Sequence, residues 1–205
     1  YEIIVVDNAS TDNTARIAQC FGARVVHEPL KGIAQARQAG FQAARGQLIA
    51  STDADTVVPP FRLAHIATHF ERAPGLGGVC GPVYWADGRS HEQLIMKYPV
   101  TWALALSHRV GRAWGVGSNF AVSAPVFWLV DGFRGFDPGK LLGEDLYISL
   151  QVSRVARVLF DPDLVVYASA RRGQEGYLNY LQRLAVSAAR VAVLHQPTLP
   201  TPDIR

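Results

Sequence analysis

The sequence predicts an α/β fold with a mostly parallel sheet flanked by helices. Three observations predict it. In the first half, apolar runs rich in Val and Ile alternate with segments of helical period. Those runs are apolar throughout instead of alternating with polar residues, as expected of strands covered on both faces. The segments between them carry helix start and stop residues in the right order.

The elements follow one another along the chain. "EIIVVD" reads as a strand. "STDNTARIAQCFG" reads as a helix, with Ser10 or Thr11 accepting free N–H groups, Asp12 at the positive end and Gly22 as the stop. "ARVVHE" is a second strand. "GIAQARQAGFQAARG" is a helix closed by Gly46, with Ile33, Ala36, Gly40 and Ala44 on one close-packing face. "QLIAST" is a third strand. "PPFRLAHIATHFERA" is a helix started by Pro59 or Pro60, where a missing N–H costs nothing. "GGVCGPVYW" is one further strand. After Trp85 the pattern changes. "HEQLIMKYPVTWALALSHRVG" is helical but broken near Pro99, and "VGSNFAVS" is a strand. "GEDLYISLQVSRVA" is a helix, "RVLFD" and "LVVYASA" are strands, and "GYLNYLQRLAVSAARVAVL" is a long final helix before a Pro-rich tail.

The 205 residues suit one domain with a small appendage; 49% are hydrophobic and 18% charged, enough for a sizeable core. A net charge of +3 is too small to argue for nucleic acid and suits an anionic small molecule or a membrane surface. Cys20 and Cys80 make no disulfide framework, which fits a reducing compartment. No apolar run is long enough to span a bilayer. The chain opens inside a strand at Tyr1 and reads as a fragment whose upstream residues are absent.

In open sheets of this kind ligands gather at the carboxyl ends of the strands. Asp53 and Asp55 stand where "QLIAST" runs out. Residues i and i+2 of a strand point the same way, so both carboxylates would face the crevice. Their repulsion calls for a positive partner, and Mg²⁺ or Mn²⁺ on a diphosphate would supply it. The alternative is a solvated acidic turn or a helix cap for the "PPF" helix. Asp7 ends the first strand at the same edge; its alternative is a capping aspartate. Lys31 and Arg37 flank the start of the second helix and suit a diphosphate, or simply form a solvated basic face. Glu144 and Asp145 open a helix, either complementing its dipole or offering a general base. His65 and His69 are four apart, but Ile66 stands where a zinc-protease motif needs Glu, so a surface or half-buried pair is expected and not a metal site. Trp85, Trp102 and Trp114 could stack on sugar rings, but core packing is the expectation for each.

Together, "EIIVVDNASTDNTARIA", "GIAQARQAGFQAARGQLIASTDADTVVPP", "GSNFAVSAPVFWLVDGFRGFD" and "LLGEDLYISLQVSR" resemble, in order, the signature blocks of family 2 glycosyltransferases with the GT-A fold. The resemblance runs from Tyr1 to about Arg172. It implies a Rossmann-like nucleotide-binding part over about 1–85, a smaller acceptor part over about 86–172, and a C-terminal helix and tail over 173–205. It implies that Asp7 contacts the nucleotide base, Arg37 lies near the nucleotide, and Asp53 and Asp55 form the metal-binding DxD on Mn²⁺ or Mg²⁺. Asp145 matches the catalytic base, with Glu144 beside it, and Asn119 of "GSNF" matches a loop touching donor sugar or acceptor. Asn8 stands where the family often has a second aspartate. "SARR", Ser169 to Arg172, resembles a strand-end motif, but "YASARR" lacks the metal-ligating histidine of some relatives, which leaves the third protein ligand open. The family's first strand and helix, with "P-x-Y/F-N-E", are not in this sequence. A processive "QxxRW" motif is also absent.

The resemblance therefore implies an inverting, metal-dependent transferase. It would move a sugar from a UDP- or GDP-sugar to a glycan or lipid-linked acceptor in bacterial envelope synthesis. It would act in the cytoplasm, in peripheral contact with the inner membrane face and without nucleic acid. The rival readings are a nucleotidyltransferase and a non-catalytic nucleotide-sugar-binding domain.

Overall fold

The computed structural model describes residues 1–88, 90–109, 115–137 and 143–169. The expected segment 173–205, Arg171, Arg172 and Trp114 lie outside the described residues.

Strand β1 (Ile4–Asp7) pairs in parallel with β2 (Arg24–His27), and α1 (Thr14–Cys20) crosses between them. Helix α1 starts later than the sequence suggests. Ser10 and Thr11 do not cap it; Asp12 Oδ1 instead accepts from Thr14 N at 2.9 Å. Gly22 ends the turn after α1 at φ +78°, a conformation glycine adopts without strain. Helix α2 (Ile33–Ala43) lays Gly40 against β1, where a Cβ would come within 2.8 Å of Val6. It ends at Ala43, with Ala44 as its cap, and not at Gly46.

Strand β3 (Leu48–Ser51) is followed by a short β4 (Thr56–Val57) that the sequence does not announce. Helix α3 (Arg62–Arg72) begins just past both prolines, with Arg62 N donating to Pro59 O at 3.1 Å. "GGVCGPVYW" is two strands, β5 (Leu76–Cys80) and β6 (Val83–Trp85). Pro82 has no ladder N–H to give, and Gly81 lies so close to Leu164 that a Cβ would meet its carbonyl oxygen at 2.0 Å. The expected break near Pro99 is one π-helical turn, Met96–Val100, between α4 (Ser90–Ile95) and α5 (Thr101–Arg109). A 3₁₀ turn (Gly117–Asn119) leads into β7 (Phe120–Ser123) and an unannounced α6 (Ala124–Leu129) with Pro125 in its first turn. Then come α7 (Glu144–Val155), β8 (Arg157–Phe160) and β9 (Val166–Ala168).

The sheets are mixed, which corrects the mostly parallel expectation. Central β7 runs antiparallel to both β3 and β5, while β5 pairs in parallel with β8. In a third sheet β9 is antiparallel to β4 and parallel to β6. A strand buried on both faces reads as a continuous apolar run whichever way it points, so the run "FAVS" carries no direction. The reversal matters for the site: Phe120 stands opposite Ser51 and Cys80. The Gly117–Asn119 turn is thereby delivered to the carboxyl ends of β3 and β5.

The four-stranded sheet is covered on both faces. Ile49, Phe120 and Val122 pack with Phe41 of α2, Phe127 of α6 and Ile148 and Val152 of α7. Val79 and Ala121, alternate in register, pack with Ile66 of α3 and Leu164.

Candidate functional site

Of the two aspartates after β3, Asp53 has a cation beside it. Arg37, on α2, places Nη2 2.8 Å from Asp53 Oδ1 and Nη1 2.9 Å from Glu144 Oε1. The guanidinium is held against Gly117, where any Cβ would collide with Nη1. Arg37 is therefore no solvated basic face: its planar fork joins the second block to the first turn of α7. Glu144 is largely buried. Burial pushes its carboxyl above the usual range, opposed by the Arg37 charge and reinforced by the neighbouring Asp145.

Strand alternation does not orient Asp53 and Asp55, because β3 stops at Ser51. The chain turns instead, with Thr56 N donating to Asp53 O at 3.1 Å. Asp55 is exposed at that turn, and its carbonyl accepts from Ser169 N at 3.3 Å. Ser169 thus follows β9 to the DxD turn; its hydroxyl donates to Asp87 Oδ2 at 3.2 Å. Asp53 engages Arg37 through Oδ1 alone, and its side chain is 38% exposed. A second carboxylate oxygen of Asp53 and the exposed Asp55 offer hard oxygen donors at a solvated turn, a donor set that suits Mg²⁺ or Mn²⁺.

Asp145 lies in the first turn of α7. Gly117 N donates to its Oδ2 at 3.3 Å, and Leu146 N to its Oδ1 at 2.7 Å. The "GSNF" and "ED" segments therefore meet, and their contact is a backbone N–H aimed at the expected base.

Asn119 is a correction. It is 0% exposed and does not face the crevice. Its Oδ1 accepts from Arg62 Nε at 3.1 Å; its Nδ2 donates to Pro82 O at 3.0 Å and Leu164 O at 2.5 Å. All of its polar atoms serve the interior, so none is left for donor or acceptor. Arg62 is buried as well. It donates to Ser51 O at 2.8 Å and has no carboxylate partner among the described residues. Burial lowers its pKa to about 10. Arg62 and Asn119 tie the end of β3 to the 3₁₀ turn beneath the site, a role no local signal reveals.

Asp7, at the end of β1, is buried. Its Oδ1 accepts from Ser10 N at 3.1 Å and its Oδ2 lies 3.1 Å from His27 Nδ1. Hydrogen bonding to Ser10, then to His27, lowers its pKa. Asn8 is the anchor of the next loop. Its amide donates to Glu28 O and Leu30 O at 2.9 and 2.7 Å and accepts from Gly32 N at 2.8 Å. That clamp sets the approach to α2. Lys31 stands exposed there and makes no ion pair among the described residues.

Trp85 is buried as expected, but Trp102 is 75% exposed. It shares an outward row on α4–α5 with Leu94, Tyr98 and Leu106, each four residues from the next. Among the described residues no helix is long and apolar enough to cross a membrane.

Comparison with known proteins shows the family and the fold. Residues 1–124 match the family model described as glycosyl transferase family 2. An uncharacterised glycosyltransferase of Mycobacterium tuberculosis strain H37Rv is 49% identical over 55 residues, which is 27% of this chain and 25% of that protein. The chain thus spans a quarter of that relative's length in the matched region. The mannosyltransferase PcManGT of Pyrobaculum calidifontis, in complex with GDP-Man and Mn²⁺, superposes with a TM-score of 0.64 at 20% identity, over 97% of this chain and 56% of that one. Glucosyl-3-phosphoglycerate synthase of M. tuberculosis, with Mn²⁺, UDP-glucose and phosphoglyceric acid, superposes with a TM-score of 0.56 at 18% identity, over 98% and 76%. At such identities the likeness is one of fold.

Proposed function

The chain belongs to glycosyltransferase family 2, and we propose that it moves a sugar from a nucleoside-diphosphate donor to an acceptor hydroxyl with inversion. The observation that carries this reading is the meeting of Asp145 with Gly117 N beside the Asp53–Arg37–Glu144 cluster. In this reading Asp145 is the base, Asp53 and Asp55 are the hard-cation donors, and Arg37 is the guanidinium that links Asp53 to the helix carrying Asp145.

Asp145 takes the proton of the acceptor hydroxyl. The freed oxygen attacks the anomeric carbon from the face opposite the diphosphate, and the bond to the leaving nucleoside diphosphate breaks. Gly117 N–H and the N-terminus of α7 keep the Asp145 carboxylate aimed. Asp55, with the second oxygen of Asp53, would hold Mg²⁺ or Mn²⁺, which when bound offsets charge on the leaving diphosphate. Arg37 fixes Asp53 and Glu144 so that neither swings into the acceptor's path. Asp7 lies at the edge where the base would sit, with Lys31 and the Asn8-clamped loop nearby. The GDP-mannose and UDP-glucose of the related structures support a donor of that class. The nucleotide side spans about 1–85 and the acceptor side about 86–172, with 173–205 as an appended segment. A lipid-linked acceptor fits the row of Leu94, Tyr98, Trp102 and Leu106, whose exposures of 57, 48, 75 and 61% suit a membrane surface.

The test is Asp145→Asn in the full-length protein, assayed with UDP- and GDP-sugars and Mn²⁺. Turnover should fall by about 10²- to 10⁴-fold while donor affinity stays within about twofold. Unchanged turnover would remove Asp145 from the reaction. Donor binding without transfer or hydrolysis in the unmutated protein would favour a binding domain.

A further inference from the structure

On α3, His65 and His69 present their imidazoles on one helix face, four residues apart. Their rings stack at 5.0 Å with planes 24° apart. Both Nε2 atoms converge on one oxygen: Asp161 Oδ2 lies 3.1 Å from His65 Nε2 and 2.6 Å from His69 Nε2. All three candidate ligand atoms lie within 4.8 Å of one another. Asp161 follows β8 and is buried, and its other oxygen accepts from Asp163 N at 2.9 Å. Its own N–H donates to Cys80 O at 2.9 Å.

We propose that His65, His69 and Asp161 form a second metal site, for a borderline divalent ion of the Zn²⁺ class, distinct from the DxD turn. Two imidazoles and one carboxylate are the ligand types that Zn²⁺ prefers over Mg²⁺. A tetrahedral ion about 2.0–2.1 Å from each ligand separates ligand atoms by about 3.3 Å. The His65–Asp161 spacing is already near that value, and the His69–Asp161 spacing needs to open by about 0.7 Å. The bond from Asp163 N is the outer contact that orients a ligating carboxylate. His65, whose side chain is 40% exposed, leaves the entry path and a fourth position open to water.

The site has a structural consequence. An ion there joins α3, which carries Arg62, to the turn after β8, which supplies Leu164 O to Asn119. It would brace the buried struts under the Gly117–Asn119 turn from both sides. The inference stands on these three side chains and does not rest on the transferase reading.

The experiment uses the full-length protein, stripped by chelation and titrated with Zn²⁺ alone or Co²⁺ alone, without nucleotide. One equivalent should bind, Co²⁺ should give the intense visible absorption of a four-coordinate site, and Zn²⁺ should raise the Tm by mass action. His69→Gln should weaken binding more than the about 10- to 100-fold typical of losing an outer contact. His65→Gln alters a half-exposed side chain, so it keeps the test intact if His69→Gln misfolds. The Asp53→Asn/Asp55→Asn variant should still bind Zn²⁺. Absence of Zn²⁺ binding in the unmutated chain, binding unchanged in His65→Gln, or binding lost in the double aspartate variant would each overturn the proposal.

Discussion

Arg37 Nη1 stands 2.9 Å from Glu144 Oε1, with both side chains only 13% exposed. The same guanidinium reaches Asp53. One buried fork thereby couples the turn after β3 to the helix that carries Asp145. Removing it leaves Glu144 buried without a counter-charge. Arg37→Ala should lose about 3 kcal/mol in denaturant unfolding, the scale for removing one partner of a buried pair. Arg37→Lys should recover part of that loss, since a point charge cannot serve both carboxylates. Equal stability of all three proteins would show that the pair is effectively solvated.

Glu144 also sets a pH dependence. Burial raises its pKa, so the native state keeps a proton that the unfolded chain has released. From the ordinary value of 4.5 up to the raised native value, the native state binds more protons and stability falls as pH rises. Relative to Glu144→Gln, the unmutated protein should therefore gain stability as pH drops from neutral towards 4.5. Parallel stability curves for the two proteins would contradict this.

Asn119→Ala should act on folding. It strands Arg62 Nε and Leu164 O in a dry setting and leaves Pro82 O with the Val166 N–H at 3.3 Å. At about 1–3 kcal/mol per unsatisfied group, a loss of about 2 kcal/mol or more is expected. A variant with native Tm and only a weakened KM would return Asn119 to the substrate.

Asn8→Asp replaces a donor with a second acceptor facing Glu28 O and Leu30 O. Two hydrogen bonds become repulsions, and the loop before α2 should loosen by about 1–3 kcal/mol. Hydrogen exchange at Gly32 N should rise, because Asn8 Oδ1 holds it at 2.8 Å. Unaltered protection at Gly32 would show that the loop holds itself.

Much of this protein was legible in its sequence because the deciding forces act within one element. Period, caps and turn residues place β1, β2, β3, α2, α7 and the strands after it. They set Asp53 beyond a strand end and Glu144 and Asp145 at a helix start. Tertiary structure decided what those residues meet. Arg37 finds Asp53 across 16 positions, Asn119 finds Leu164 across 45, and His69 finds Asp161 across 92. No local rule links such pairs. The direction of β7, the burial of Asn119 and the convergence of two histidines on one carboxylate arise only when the sheet closes, since burial removes the water that would otherwise satisfy each polar group alone.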